Sequence, residues 1–199
     1  MNGWPIVGWA ALAVAAMVAV ILGAVGVGVP GIQMALRATA RTSAVFFALA
    51  FAASALRRQW RTAATAWLLR NRRQLGVSFA VSHFIHLLLV FALMGWSWAV
   101  LRARLPTEAL VIGGLAYTFI ALMTLTSFDV AIAWLGTRAW RWLHTLGSYY
   151  LWTIFALNYF TRAARSAFYW PFAVLFGGVM LLRWLPKMRA AATSEGARP

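Results

Sequence analysis

The 199-residue chain contains no cysteine and only three acidic residues. Without cysteine there are no disulfides, thiolate metal sites, iron–sulfur clusters or covalent c-type haem attachments. Charged residues make up only 11% of the chain, against about 25% in an ordinary soluble domain. The sequence also has no P-loop motif, and its stretches between apolar runs are too short for a nucleotide-binding or flavin-binding domain.

Apolar residues dominate what is present. Hydrophobic residues account for 63% of the chain, and twelve Trp and thirteen Phe are among them. A soluble domain of this size cannot bury so much apolar surface. The composition therefore excludes a soluble enzyme, a chain that is disordered as a whole and a nucleic-acid-binding domain, and it predicts an integral membrane protein.

Positive charge is the second strong signal, because eighteen Lys and Arg give a formal net charge of +15. In a soluble protein this charge would suggest a nucleic-acid partner. Here the basic residues form short clusters between apolar runs, where such residues set topology and contact anionic lipid headgroups. We therefore expect the lipid bilayer, and no nucleic acid, as the partner of these clusters.

Stretches of about 20 apolar residues predict an all-α bundle of six transmembrane helices within residues 1–187. The predicted spans are about residues 6–29, 42–57, 75–100, 109–133, 142–160 and 167–185. The second span is short, so we expect it to continue as a helix beyond the hydrocarbon, with its arginines snorkelling. The first has no basic residue before it, which favours a retained span over a cleaved signal peptide. The polar tail 188–199 is predicted to be disordered.

The distribution of Lys and Arg predicts the orientation. Twelve lie in the loops 57–73 and 134–141 and in the tail from Arg183, and six lie in the loops near 30–41, 101–108 and 161–166. The positive-inside rule then places both termini in the cytoplasm.

Polar residues inside predicted spans are functional candidates, because burying them in lipid is costly. All three histidines of the chain, His83, His86 and His144, lie in spans, as do Asp129 and Asn158. His83 and His86 are three residues apart and project from one helical face. Imidazoles on neighbouring helices can bind a metal or ligate haem, and the scarcity of carboxylates favours haem b over non-haem zinc or iron. The alternative is that each histidine is hydrogen-bonded within the bundle and binds nothing.

The expected depths of the three histidines do not decide which two of them would ligate the same haem. At 1.5 Å per residue, His83 lies about 15 Å and His86 about 20 Å into the bilayer, counted from Arg73. Counted from Arg141 or Arg138, His144 lies about 5 to 9 Å deep. By this measure His83 suits His144 better than His86 does.

Two motifs resemble the ferric reductase-like transmembrane domain family, which includes the haem-binding membrane subunit of the bacterial methionine-sulfoxide reductase system. The first is Arg72-Arg73-Gln-Leu-Gly followed by His86. The second is Trp-Arg-Trp-Leu-His144, which follows Thr-Ser-x-Asp129 and Trp-Leu-Gly. The likeness covers about residues 42–185, with its best motifs on the third to fifth spans.

The resemblance implies a membrane electron-transfer protein that holds one haem b, or two, between the third and fifth spans. His86 and His144 match the family's axial ligands, and His83 competes for the third-span position. Electrons would pass from a cytoplasmic donor protein or quinol to an acceptor at the outer face of a bacterial inner membrane. Partner membrane subunits are also expected. The chain would be an oxidoreductase component with no catalytic residues, flavin domain or nicotinamide domain of its own.

One departure from the family pattern favours an alternative. Family members commonly have a second histidine further along the fifth span, where this chain reads Ala156-Leu157-Asn158. An amide is a poor haem ligand, so Asn158 is expected to have a hydrogen-bonding role. The alternative is a membrane assembly or interaction subunit that keeps the fold without haem.

Supporting roles follow from the chemistry of the charged residues. Asp129 would accept a hydrogen bond from His144, or would pair with Arg138 or Arg141 at a helix end. Arg72, Arg73 and Arg141 would bind haem propionates, since guanidinium binds carboxylates bidentately, or would serve as positive-inside anchors.

Overall fold

The structure, a computed structural model, describes residues 3–185, and its regular elements are all helices. They are α1 (Pro5–Val25), α2 (Val29–Gln59), α3 (Ala63–Arg70), α4 (Arg72–Leu93), α5 (Trp98–Arg104), α6 (Thr107–Leu125), α7 (Asp129–Leu135), α8 (Thr137–Ala163), a 3₁₀ turn (Ala167–Tyr169) and α9 (Trp170–Trp184). The predicted tail 188–199 lies outside the described residues.

Five helical segments of residues 3–185 are long and apolar enough to cross a membrane, which supports the predicted membrane class. They are α1, α2, α4, α6 and the segment Ala167–Trp184. The remaining long helix, α8, has 27 residues but a more polar composition. Its arginines lie near its two ends, while Leu151, Phe155 and Ala156 in its middle are buried in the bundle core.

Helix boundaries differ from the predicted spans at three places. The predicted third span, 75–100, ends at Leu93, and a separate short helix begins at Trp98. The second helix has 31 residues and begins at Val29, so the expected extension beyond residues 42–57 is confirmed and takes up the whole of the predicted loop 30–41. The predicted fourth span, 109–133, is interrupted after Leu125. There the hydroxyls of Thr126 and Ser127 donate to the carbonyls of Leu122 and Met123. Such side-chain bonds compete with the backbone ladder.

Both ends of the described chain lie at the same end of the bundle. The amide of Gly3 donates to Asn71 Oδ1 at 2.9 Å, which places the start of α1 beside the α3–α4 junction. Arg58, at the end of α2, donates to the carbonyls of Leu182 and Arg183 at the end of α9. We call this the basic end; it comprises residues 3–4, 57–73, 126–141 and 182–185.

An aromatic cluster forms the centre of the bundle. The Phe47 ring of α2 lies 5.3 to 5.5 Å from the rings of Phe51, Phe79 and Phe155. Phe176 of α9 packs 5.4 Å from Phe155. These side chains are each less than 9% exposed, so α2, α4, α8 and α9 share one core.

The turn between α1 and α2 requires glycine at two positions. Gly26 ends α1 with a φ of 96°, a conformation that side chains disfavour. A Cβ on Gly31 would lie 1.9 Å from the Gly26 carbonyl oxygen. The two helices therefore approach closely only because residue 31 has no side chain.

We expect Gly31→Ala to destabilise the protein by roughly 1–3 kcal/mol, because the backbone must shift to relieve the clash. The measurement is the thermal unfolding midpoint in detergent. Gly178→Ala on α9 is the matched control, since a Cβ there meets nothing within 4 Å. Equal midpoints for the two variants would contradict the assigned close approach.

Candidate functional site

A cavity of about 500 Å³ lies at the basic end between α2, α4, α6 and α8, within the size range of small-molecule sites. We call it the basic cavity. Its walls are largely apolar and aromatic, with Phe47, Phe51, Gly76, Phe79, Ala80, Ile120, Met123, Trp140, Tyr149 and Leu151. One histidine, His144, lines it.

Five arginines line the same cavity: Arg70, Arg72, Arg73, Arg141 and Arg183. Three are engaged by other groups. Arg72 donates to the Ala50 carbonyl at 3.1 Å, Arg73 pairs with a carboxylate, and Arg183 donates to the Phe51 carbonyl at 2.8 Å. Neither Arg70 nor Arg141 has a hydrogen-bond or ion-pair partner within residues 3–185. These two guanidinium groups are therefore the ones that can bind an anionic group in the cavity.

His144 is oriented by two neighbours. Its Nε2 lies 3.0 Å from Thr126 Oγ1, and its ring centroid lies 4.4 Å from that of Trp140. The Trp140 indole in turn donates to the Thr126 carbonyl at 2.8 Å. The interruption after α6 thus supplies the hydroxyl and the carbonyl that position both rings.

The other two histidines lie together on α4, as their spacing predicts. The rings of His83 and His86 stack with centroids 5.3 Å apart and planes 11° from parallel. His86 Nδ1 lies 3.1 Å from both the Leu36 carbonyl and Thr39 Oγ1 of α2. The Nδ1 of His83 is buried without a hydrogen-bond partner within residues 3–185.

The structure does not bring His144 to the same site as His83 and His86. His83 packs 5.7 Å from Phe155, which lies eleven residues, or about 16 Å, beyond His144 along α8. Neither α4 histidine lines the basic cavity. Within residues 3–185, no group of three or more His, Cys, Asp and Glu side chains is placed to hold a metal ion.

Asp129 and Asn158 have partners other than histidine. Asp129 lies in the first turn of α7 and accepts a hydrogen bond from Arg73, instead of bonding to His144 or pairing with Arg138 or Arg141. The Arg73 hydrogen bond lowers the pKa of the Asp129 carboxyl below its ordinary value. Asn158 is exposed near the end of α8, where its Oδ1 accepts a 2.6 Å hydrogen bond from Arg162.

The sequence did not predict three of the residues that form the site. Arg70 and Arg183 were counted only as topology signals, since nothing in their local sequence separates them from neighbouring arginines. Thr126 belongs to the quoted Thr-Ser-x-Asp motif, but its contact with His144 spans 18 residues.

Compared with known proteins, the chain matches no protein-family model, no curated protein and no solved structure. The resemblance to ferric reductase-like domains thus rests on the quoted motifs alone.

The Asp129–Arg73 pair makes a testable prediction, because Asp129 is the only aspartate of the chain. Selective ¹³C labelling of aspartate therefore gives a single carboxyl resonance. We expect it to titrate below the ordinary aspartate pKa, and Arg73→Gln to raise its pKa toward that value. The pair contributes most to the folding stability at pH values above the pKa of unfolded aspartate. This stabilisation is lost as the pH falls through the pKa of Asp129 in the folded protein. Arg138→Gln is the control, and an equal shift in both variants would contradict the assignment.

Proposed function

We propose that the protein is a membrane electron-transfer component that binds haem b in the basic cavity. The observation that carries this proposal is the combination of an apolar, aromatic cavity with one imidazole and two available guanidinium groups. Haem b needs these three features: an apolar slot, an axial ligand and partners for its propionates.

The residues present fit this group. His144 would supply the axial nitrogen, since imidazole binds metal through either ring nitrogen. A partner on the other nitrogen usually fixes the orientation of a ligating ring, and Thr126 is such a partner. Arg70 and Arg141 would bind the propionates, while Phe47 and Phe79 exclude water. When bound, haem b supplies one-electron redox chemistry.

A path toward the opposite end begins at the wall of this cavity. Phe79 lines the cavity, and its ring lies 5.4 Å from that of His83, which stacks on His86. We propose that electrons enter at the basic end from a cytoplasmic donor protein or from quinol and leave toward an acceptor at the outer face. The chain holds no other redox group of its own in this proposal, so a donor and an acceptor complete the reaction.

We also propose that all six long helices cross a bacterial inner membrane with the basic end in the cytoplasm. Nine arginines of the described chain lie at the basic end, and the positive-inside rule assigns that end to the cytoplasm. The spanning role of α8 is supported by its 27-residue length and its buried middle.

The orientation can be tested without background labelling, because the chain has no cysteine. In intact cells, a membrane-impermeant thiol reagent should label Arg102→Cys but not Arg61→Cys. Permeabilised cells should label both variants equally. Labelling of Arg61→Cys in intact cells would contradict the proposed orientation.

Haem binding is tested by a pyridine haemochrome assay on protein purified from haem-replete cells. We expect about one haem b per chain, and we expect His144→Ala to lose most of it because His144 is the only imidazole in the cavity. His86→Ala is the matched control, since it removes an intramembrane imidazole outside the cavity, and it should retain haem. Imidazole added to His144→Gly should restore part of the bound haem.

The haemochrome assay also distinguishes the electron-transfer proposal from a second candidate function, a membrane assembly subunit without haem. All three imidazoles already have neighbours in the structure: a threonine hydroxyl, a carbonyl or another ring. A wild-type protein that folds and is colourless would end the electron-transfer proposal and leave the assembly subunit as the remaining candidate. Loss of haem in His86→Ala but not in His144→Ala would place the haem outside the basic cavity.

A further inference from the structure

Within residues 3–185, the wall of the basic cavity offers one imidazole and no second strong haem ligand. The chain has three histidines, and His83 and His86 both lie outside the cavity. Among the lining side chains that the structure describes, the Met123 thioether and the Tyr149 phenol are the others that can ligate haem iron.

Met123 lies on the same wall as His144. A Cβ on Gly147 would lie 2.5 Å from the Met123 sulfur, so this sulfur packs against Gly147. Gly147 is three residues after His144 and therefore shares its face of α8. The two axial ligands of one haem lie on opposite faces of the ring, which this arrangement does not allow.

Tyr149 is also on α8, and its hydroxyl is engaged by Arg183, whose Nε lies 3.4 Å away. The Arg183 guanidinium lies 5.2 Å from the Tyr149 ring centroid and 4.1 Å from that of Phe51. The Arg183 guanidinium thus holds the phenol through a hydrogen bond and a cation–π contact.

Beyond Arg72 and Arg73 at the start of α4, the walls contributed by α2 and α4 are apolar. They consist of Phe47, Ala50, Phe51, Gly76, Phe79 and Ala80. A Cβ on Gly76 would meet nothing within 4 Å, so there is open space at this wall.

We infer that haem in the basic cavity is held by a single axial imidazole, His144, and that its second axial position is open to a small diatomic ligand. This inference rests on the proposed function, because it requires haem in the basic cavity. It adds that the protein binds a gas such as carbon monoxide or nitric oxide, which a carrier with two axial histidines does not.

The first test is spectroscopic and uses the purified full-length protein with carbon monoxide as the probe. We expect high-spin haem by electron paramagnetic resonance in the oxidised state, and a shift of the Soret band when carbon monoxide is added to the reduced state. Bound haem that is low-spin and insensitive to carbon monoxide would overturn the inference while leaving the haem proposal intact. A protein without haem would overturn both.

A second test installs the missing ligand. Gly76→His places an imidazole on the α4 wall, where there is space, and should convert the haem to low spin with loss of the carbon monoxide shift. Gly76→Ala is the matched control and should keep the wild-type spectrum. If Gly76→His does not fold, the carbon monoxide test on the wild type still decides the inference.

The Met123→Leu variant tests whether the Met123 sulfur is the second haem ligand. The inference expects this variant to have the spin state and carbon monoxide response of the wild type. A wild type that is insensitive to carbon monoxide and becomes sensitive in Met123→Leu would show that the sulfur is the second ligand, and would overturn the inference.

Discussion

The packing of α2 against α4 positions His83 and His86 and forms one wall of the basic cavity. Small residues allow the two helices to approach closely: Ser43, Ala44 and Ala48 of α2 and Ala80 and Ser82 of α4 are all nearly or fully buried. The Ser43 and Ser82 hydroxyls lie 2.9 Å apart across this interface, and Ser82 also donates to the Thr39 carbonyl. One end of α4 then contributes to the basic cavity, while two turns further along His86 reaches α2.

The arginines of the basic end bind backbone carbonyl groups more often than carboxylates. Arg58 caps the end of α9 by donating to its last carbonyls, where a cation also interacts favourably with the helix dipole. Arg72 and Arg183 bind single carbonyls of α2. Because carbonyls or Asp129 engage the other three arginines of the cavity, Arg70 and Arg141 carry its capacity for an anion.

Prediction from the sequence worked best where one physical effect dominates. The apolar runs predicted the membrane class and most of the long helices, because burial in lipid demands long apolar segments. The i, i+3 spacing of His83 and His86 predicted that they share a face, since helical geometry alone decides this. Helix ends were predicted less well: the interruption at Thr126 depends on side-chain hydrogen bonds to the backbone, which hydropathy does not register.

The candidate site depends on contacts between distant segments. The composition and the positions of the three histidines were sufficient to predict buried imidazoles and a basic side of the bundle. They were not sufficient to decide which histidine lines a cavity, which arginines are already engaged, or that Asp129 pairs with Arg73 across 56 residues. Hydrophobicity and charge are properties of individual residues and can be read along the chain. Whether two imidazoles face each other depends on the depth and rotation of two helices, and packing between helices sets both.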